Sequence, residues 1–286
     1  MVMALSSIAL TLSALALLLN IPSISNLRTQ QHQKTLKELH YQQHHYANNQ
    51  IHHIHFDPDR YKLVLVNGSP RSTISAMAKN DGQTLAALNA AFFTTAGKNI
   101  GAFITPATRQ QPRLVPKSGR GVIGWSQRQG KTRIYFDRLV MSTSKGWQST
   151  LQQRGEQNRW WEDVDYLVTG APLLIHNSKP LDLTQEKLLT TFIHRRYARS
   201  AICIDQNSHI HWFLVAGADR WTYAMGMKHG LSLQQLQEFA HSIGCVHALN
   251  LDGGYSSSIW LHGDIISAMP WLPQRKIASA LLLQRK

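Results

Sequence analysis

Short runs in which apolar and polar residues alternate recur along most of the chain, a pattern typical of half-buried β-strands. Residues that favour turns, such as Asn-Gly and Gln-Gly pairs, separate these runs. The predicted strands are Tyr61–Val66, Leu85–Phe93, Val122–Trp125, Thr132–Phe136, Tyr166–Ile175 with a break at Gly170-Ala171-Pro172, Ser200–Ile204, Ile210–Val215, Val246–Leu251 and Ile277–Leu283. Two turns, at Gln129-Gly130 and at Gln206-Asn207-Ser208, predict hairpins.

Helical periodicity is clear at one place, Leu231–Ile243. Ser232 is suited to be the N-cap of this helix, and its apolar residues fall on one face. Thr73–Lys79 predicts a second, short helix. Because the strands come in runs and the helices are segregated, we predict an α+β fold, a single domain of mixed, mainly antiparallel sheet over residues 51–286.

The N-terminal segment has the features of an export signal. Ala4–Ile21 carries no charge and is apolar or small apart from a few polar residues, and small residues precede a predicted cleavage after Ser25. The same run is near the lower limit for a membrane span, so an uncleaved anchor through residues 4–21 is the alternative. Residues 26–50, rich in Gln and His, predict a polar tether or a short solvated helix. We therefore expect an exported protein, periplasmic or associated with the envelope if bacterial.

Net charge points to anionic partners. The formal charge is +14 over 286 residues, and the segment from Arg109 to Arg138 has eight basic residues against one acid, Asp137. This favours a sugar phosphate or an anionic polysaccharide as partner, with a merely solvated basic face as the alternative. No zinc-finger spacing, RNA-binding aromatic signature or basic zipper occurs, so no nucleic-acid partner is expected.

Cysteine and histidine usage gives two further expectations. Cys203 and Cys245 each lie in an apolar run, which favours two buried free thiols over the one disulfide that an oxidising compartment would allow. His52, His53 and His55 have a spacing that could hold a metal, but a polar strand edge is favoured. We predict no metal ligand among these residues.

The most informative motif follows the predicted strand Val246–Leu251. There a carboxylate, Asp252, is followed by two glycines and then by three serines after Tyr255. Glycines let a ligand approach the backbone, the carboxylate can transfer a proton, and hydroxyls can bind an anionic or sugar group. A simple turn in which Asp252 accepts a backbone hydrogen bond is the alternative.

Several segments, taken in order over about residues 51–286, resemble the phosphodiester glycosidase family, which includes the uncovering enzyme of mannose-phosphate tagging and bacterial exopolysaccharide-associated proteins. The most specific is Asn250-Leu251-Asp252-Gly253-Gly254, preceded by the helix that begins after Gly230. The others are Leu88–Phe93 with Ile100-Gly101, Thr169–Leu174, Arg199–Ile202 and Lys276–Leu281.

This resemblance implies an exported hydrolase that cleaves a sugar-1-phosphodiester at the glycosidic side. It implies Asp252 as the general acid/base or sugar-orienting carboxylate, Arg199 as the phosphate ligand, and Asn89 as a residue that binds substrate oxygens or else fixes a loop. It implies no particular cofactor, and a divalent cation is compatible with the chemistry. The implied substrate-binding residues are Gly253, Gly254, Ser256, Ser257 and Gly170.

Departures from the family pattern keep a second function open, a non-catalytic exported module that binds anionic glycan or envelope polymer. Ala90 and Ala91 stand where many members have glycine, and Tyr255 replaces a frequent third glycine. Val215-Ala216-Gly217 lacks an acid that the family commonly has nearby, for which Asp219-Arg220 is a candidate substitute.

Overall fold

A computed structural model describes most of the chain after its N-terminal segment. The predicted export segment, residues 114–117 of the basic segment, and Asp219-Arg220 lie outside the described residues. Among the residues that are described, no helix has the length and apolar character needed to cross a membrane. The described ranges are 32–80, 82–113, 118–142, 146–152, 159–217, 224–225 and 229–286.

The described part of the chain contains three antiparallel sheets and few helices, which confirms the predicted α+β class. The helices are α1 (Ile74–Lys79), α2 (Thr190–His194) and α3 (Leu233–Ser242), besides a short helical segment at residues 32–38. The strands are β1 (Gln42–Tyr46), β2 (Asn49–Phe56), β3 (Tyr61–Ser72), β4 (Thr84–Asn89), β5 (Gly101–Thr105), β6 (Thr108–Arg113), β7 (Arg120–Arg128), β8 (Lys131–Ser142), β9 (Gly146–Ser149), β10 (Tyr166–Thr169), β11 (Leu173–His176), β12 (Lys179–Pro180), β13 (Arg199–Asp205), β14 (Ile210–Val215), β15 (Cys245–Asn250), β16 (Ser258–Leu261), β17 (Asp264–Ser267) and β18 (Ile277–Arg285).

Each sheet has a simple order. The seven-stranded sheet runs β1-β2-β14-β13-β15-β11-β12, the six-stranded sheet β6-β5-β10-β7-β8-β9, and the five-stranded sheet β17-β16-β4-β18-β3. Both predicted hairpins are present, as β7–β8 and β13–β14. The predicted break at Gly170-Ala171-Pro172 is present, since β10 ends at Thr169 and β11 begins at Leu173, and the two strands lie in different sheets.

Residues 42–50, at the end of the predicted polar tether, are more ordered than predicted. β1 and β2 form a hairpin that begins inside the predicted tether, and β2 pairs with β14 in the large sheet. Ile51 and Ile54 on β2 are fully buried. The folded unit therefore begins at Leu39, twelve residues before the predicted boundary.

Helix α3 packs on one face of the seven-stranded sheet and sets up the strand that leads into the motif. Its N-cap Ser232 and Gln235 form a reciprocal capping box, which fixes the start of the helix. Leu233, Leu236 and Phe239 are buried against residues of β11, β13 and β15. The chain then turns at Gly244, whose φ of 91° suits a helix C-terminus, and enters β15.

The prediction of two free thiols is wrong, because Cys203 and Cys245 form a disulfide. They lie on neighbouring strands β13 and β15, where Asp205 pairs with Cys245 beside an irregularity in the register. Their Cα atoms are 5.8 Å apart, within the range that a disulfide spans. The apolar surroundings fit both states, so the sequence alone did not reveal the pairing.

Removing this cross-link should destabilise the protein. The two cysteines are 42 residues apart, and a loop of that size corresponds to about 4 kcal/mol of chain entropy in the unfolded state. We expect the Cys203→Ala/Cys245→Ala variant to lose about 3–4 kcal/mol of unfolding free energy in urea titrations. Reductant should lower the unfolding free energy of the wild type to that of the variant. If reductant leaves the unfolding free energy of the wild type unchanged, the disulfide assignment is contradicted.

Candidate active site

The Asp252 loop is fixed by the segments that follow β4 and precede β13. The amide of Asp252 donates to the carbonyl of Ala90 at 3.0 Å, and the amide of Gly254 donates to the carbonyl of Ala198 at 2.8 Å. The amide of Leu251 donates to Ser200 O at 2.8 Å. Three distant parts of the sequence thus meet at the end of β15.

Asn89, at the end of β4, is the residue that ties these parts together. It is fully buried, and its Nδ2 donates to Asp252 O at 2.7 Å. Its Oδ1 accepts from Ser200 Oγ at 2.7 Å and from Ser258 N at 3.1 Å. The structure thus supports the second predicted role of Asn89, fixing a loop, and not a catalytic role, since its amide is engaged by the protein.

The Asp252 carboxylate is held in conditions suited to proton transfer. Burial raises its pKa to about 6, against the ordinary 3.8. Hydrogen bonds from the Ser256 side chain and from the Gly253 amide, the latter at 3.0 Å, and the charge of Arg275 oppose this rise. A carboxyl that titrates near neutral pH can give or take a proton under working conditions.

Arg199 lies beside the loop but is occupied by the protein. The side chain is 1% exposed, and its Cδ lies 3.8 Å from the position of a Cβ built on Gly253. Its Nε donates to Leu231 O at 3.0 Å, and its Nη2 donates to the carbonyls of Phe192 and Arg195 at 2.9 and 3.1 Å. Three hydrogen bonds to backbone carbonyls contradict the expectation of a phosphate fork that is open to substrate.

The glycines have different roles. Gly254 has a φ of 61°, which favours glycine, and Gly253 fits against Ala198 O, 2.9 Å from the position of a built Cβ. Gly170 was predicted to bind substrate, but it is buried, and a Cβ there would lie 2.3 Å from the carbonyl oxygen of Asn250. The close approach that Gly170 permits is therefore that of the protein's own strand β15.

The serines are also turned inward. Ser256 is buried and its hydroxyl serves Asp252 rather than solvent. Ser257 is fully buried, and its Oγ makes no hydrogen bond with the described residues. Neither hydroxyl is placed to bind substrate as predicted, and Ser256 instead tunes the carboxylate.

A cation that the sequence did not predict for the site, Arg275, lies close enough to Asp252 for the two charges to interact. Its side chain is exposed, its charge lowers the Asp252 pKa, and its guanidinium stacks 5.7 Å from the Phe93 ring and 5.5 Å from the Tyr255 ring. Tyr255, which replaces a glycine frequent in the family, thus makes a cation–π contact with Arg275. The signal in the sequence was a basic pair directly before the terminal strand.

The other departures have little effect on open space at the loop. Ala90 and Ala91 are 1% and 2% exposed, so their methyl groups lie in the packed interior. A cavity of about 450 Å³ lies near the loop. The amide of Ala268, one of the residues that line this cavity, donates to Ser257 O at 3.0 Å. Asp252 is not among the residues that line this cavity.

Several basic side chains in the described part of the segment from Arg109 to Arg138 are hydrogen-bonded or paired with carboxylates of the same protein. Arg138 is buried and bonds Thr150 and Gln185 through its guanidinium. Lys131 and Arg128 are exposed but lie 3.0 and 3.7 Å from the carboxylates of Asp59 and Asp165. The segment therefore offers less free positive charge than its sequence suggests.

Comparison with family models supports the resemblance over most of the predicted domain. A family model described as phosphodiester glycosidase matches residues 82–284. No curated protein matches the chain in sequence.

Several solved structures share the fold at low sequence identity. A hypothetical protein from Synechocystis has a TM-score of 0.65 at 18% identity, covering 86% of this chain, and this chain spans 62% of that protein. The catalytic domain of zebrafish N-acetylglucosamine-1-phosphodiester alpha-N-acetylglucosaminidase, auto-inhibited by its pro-peptide, has a TM-score of 0.59 at 18% identity, over 86% of this chain and 82% of that one. A putative exported protein from Burkholderia pseudomallei has a TM-score of 0.57 at 15% identity, over 82% and 74%.

Proposed function

Because the chain belongs to the phosphodiester glycosidase family, we propose that it hydrolyses a sugar-1-phosphodiester by cleaving the bond between the anomeric carbon and oxygen. The observation that carries this proposal is the Asp252 carboxylate, whose pKa burial raises to about 6 in a loop fixed by Asn89. The exposed, stacked Arg275 supplies positive charge beside it.

The chemistry divides between the two charged groups. Water attacks the anomeric carbon, the bond between that carbon and the bridging oxygen breaks, and the bonding electrons leave on that oxygen as part of a phosphate monoester. A phosphate monoester has a second pKa near 6, so it departs near neutral pH with little need of a proton. Ionised Asp252 takes the proton of the attacking water and balances the positive charge that develops on the sugar. Arg275 donates to the phosphate oxygens.

We further propose that the protein works outside the cytoplasm on an anionic glycan or envelope polysaccharide. The disulfide between Cys203 and Cys245 supports this, because structural disulfides persist in oxidising compartments. The uncharged apolar run at residues 4–21 supports export in the same way. One relative in fold is itself described as a putative exported protein.

A non-catalytic binding module is the second candidate. It is favoured by the engagement of Arg199 and Asn89 with the protein's own groups, which leaves fewer polar side chains for a transition state. Such a module would bind sugar phosphodiesters at Arg275 without turnover. Calorimetric binding with no product after long incubation would favour it over the hydrolase.

A panel of sugar-1-phosphodiesters, incubated with the purified full-length protein with and without divalent cations, tests the proposal. We expect release of free sugar and phosphate monoester from at least one member. Failure of every member to yield sugar, with the protein folded and binding intact, would contradict the hydrolase.

The rate should depend on pH through Asp252. The ionised carboxylate is the active form, so kcat/KM should rise with pH, with a midpoint near 6, and level off above it. The diester substrate does not titrate in this range, so the rise of kcat/KM with pH reflects the ionisation of a group on the enzyme. A profile that falls as pH rises through 6 would show that the protonated form is active and would reverse the assigned role.

A further inference from the structure

Three histidines share one face of the seven-stranded sheet, away from the Asp252 loop. His55 on β2 pairs directly with His211 on the neighbouring strand β14. His53 lies two residues before His55 and therefore on the same face. One ring nitrogen from each of the three lies within 4.8 Å of the others.

We propose that His53, His55 and His211 form a binding site for a divalent transition-metal ion, with zinc as the ion that the ligand set suits best. Three imidazoles with a fourth position open to water are an established zinc ligand set. Borderline metals of this kind prefer imidazole nitrogen to the carboxylate and carbonyl oxygens that magnesium and calcium take.

The nitrogen atoms of two of these rings already converge. His53 Nε2 and His211 Nδ1 are 2.9 Å apart. Metal–nitrogen bonds of 2.0–2.1 Å in a tetrahedral site place ligand nitrogens about 3.3 Å apart. Small ring rotations, opening this pair and bringing in His55, would therefore produce the required spacing.

The opposite nitrogens of the same two rings lie near a histidine and a carboxylate, and of these two contacts the one to the histidine is a hydrogen bond. His53 Nδ1 lies 3.0 Å from His44 Nε2, and His211 Nε2 lies 3.3 Å from Asp205 Oδ2. Such outer partners fix the ring orientation and raise the basicity of the coordinating nitrogen. In each of these two rings, one nitrogen is therefore placed to bind the proposed ion and the other lies near a neighbouring side chain.

A further observation is that His55 Nδ1 is buried and makes no hydrogen bond in the described structure. A buried polar atom without a partner is costly, and an ion would satisfy it.

The ion would join two different parts of the sequence. His53 and His55 precede the region matched by the family, residues 82–284, whereas His211 lies within it. Coordination would therefore cross-link the hairpin of β1 and β2 to strand β14. The expected consequence is metal-dependent stability, independent of any activity at Asp252.

Zinc titration of the metal-stripped full-length protein tests the site. We expect one tight site per chain, and a rise in Tm of roughly 5–10 °C at zinc a hundredfold above its Kd. Cobalt in place of zinc should give the visible absorption of a tetrahedral nitrogen site. His55→Gln and His211→Gln should each weaken binding at least 100-fold, and Asp205→Asn by about 10–100-fold.

His52→Gln is the matched control, because His52 lies on the same strand but on its other face. It should leave zinc affinity and the zinc-induced rise in Tm unchanged. Circular dichroism of the metal-free variants shows whether they are folded. Folded His55→Gln protein that binds zinc as tightly as the wild type would overturn the proposal. A wild-type protein that binds no zinc would overturn it as well.

Discussion

Asp252→Asn should lower turnover of a sugar-1-phosphodiester by about 10²–10⁴-fold, the usual cost of removing a general acid or base. Asparagine keeps the size and an acceptor oxygen for the Gly253 amide, but it takes no proton from water. KM should change little, since the positive charge of Arg275 remains. The measurement is kcat and KM at pH 7 on the best substrate of the panel.

The same variant should be more stable than the wild type. Because burial raises the folded-state pKa of Asp252 to about 6 from 3.8, the wild type bears the full cost of the buried charge above pH 6. A shift of about two units corresponds to about 3 kcal/mol at most. The stability advantage of Asp252→Asn should therefore be complete at pH 7 and vanish below about pH 4.

Asp182→Asn is the matched control. Asp182 is an exposed turn carboxylate that accepts from the amide and hydroxyl of Thr184, and those hydrogen bonds lower its pKa. Replacing it should leave turnover unchanged. If Asp252→Asn behaves in the same way, Asp252 is a turn residue and the proposed chemistry fails.

Asn89→Ala should have the largest effect on folding among the site variants. It removes the partner of three groups, the carbonyl of Asp252, the hydroxyl of Ser200 and the amide of Ser258. Since buried groups left unpaired cost about 1–3 kcal/mol each, we expect a loss of roughly 3 kcal/mol or more in unfolding free energy. Turnover should also fall, because the Asp252 loop loses its anchor.

Asn67→Ala serves as the control for that experiment. Asn67 is bonded at an exposed position, accepting from the Ser69 amide at 3.3 Å. Its replacement should change unfolding free energy by less than about 1 kcal/mol. Equal stability of the two variants in urea titrations would show that the Asn89 amide does not hold the loop.

Local patterns predicted the elements that local interactions determine. Helix α3 was predicted because its apolar face and its Ser232 cap are both encoded within a few residues. The hairpin of β13 and β14 was predicted for the same reason, since its turn residues and strands are contiguous. The β1–β2 hairpin was missed because its histidines and glutamines hide the alternation that marks a strand.

The site could be predicted only in part, because side-chain partners are set by long-range pairing. The motif at Asp252 follows directly from residue order, and so does its position at a strand end. Nothing in the sequence shows that the carbonyls of Phe192, Arg195 and Leu231 occupy Arg199, or that Asn89 faces Ser200. The cation beside Asp252 is Arg275, which lies two residues before β18, and β18 pairs with β4 at Asn89, next to the residue that holds the Asp252 amide.

Hydrolysis in water enriched in ¹⁸O tests the central claim most directly. If the bond between the anomeric carbon and oxygen breaks, the label enters the released sugar and the phosphate monoester carries none. The account predicts this outcome for the wild type, at a rate that Asp252→Asn lowers at least about 100-fold. Label in the phosphate would show attack at phosphorus, and would contradict a glycosidase.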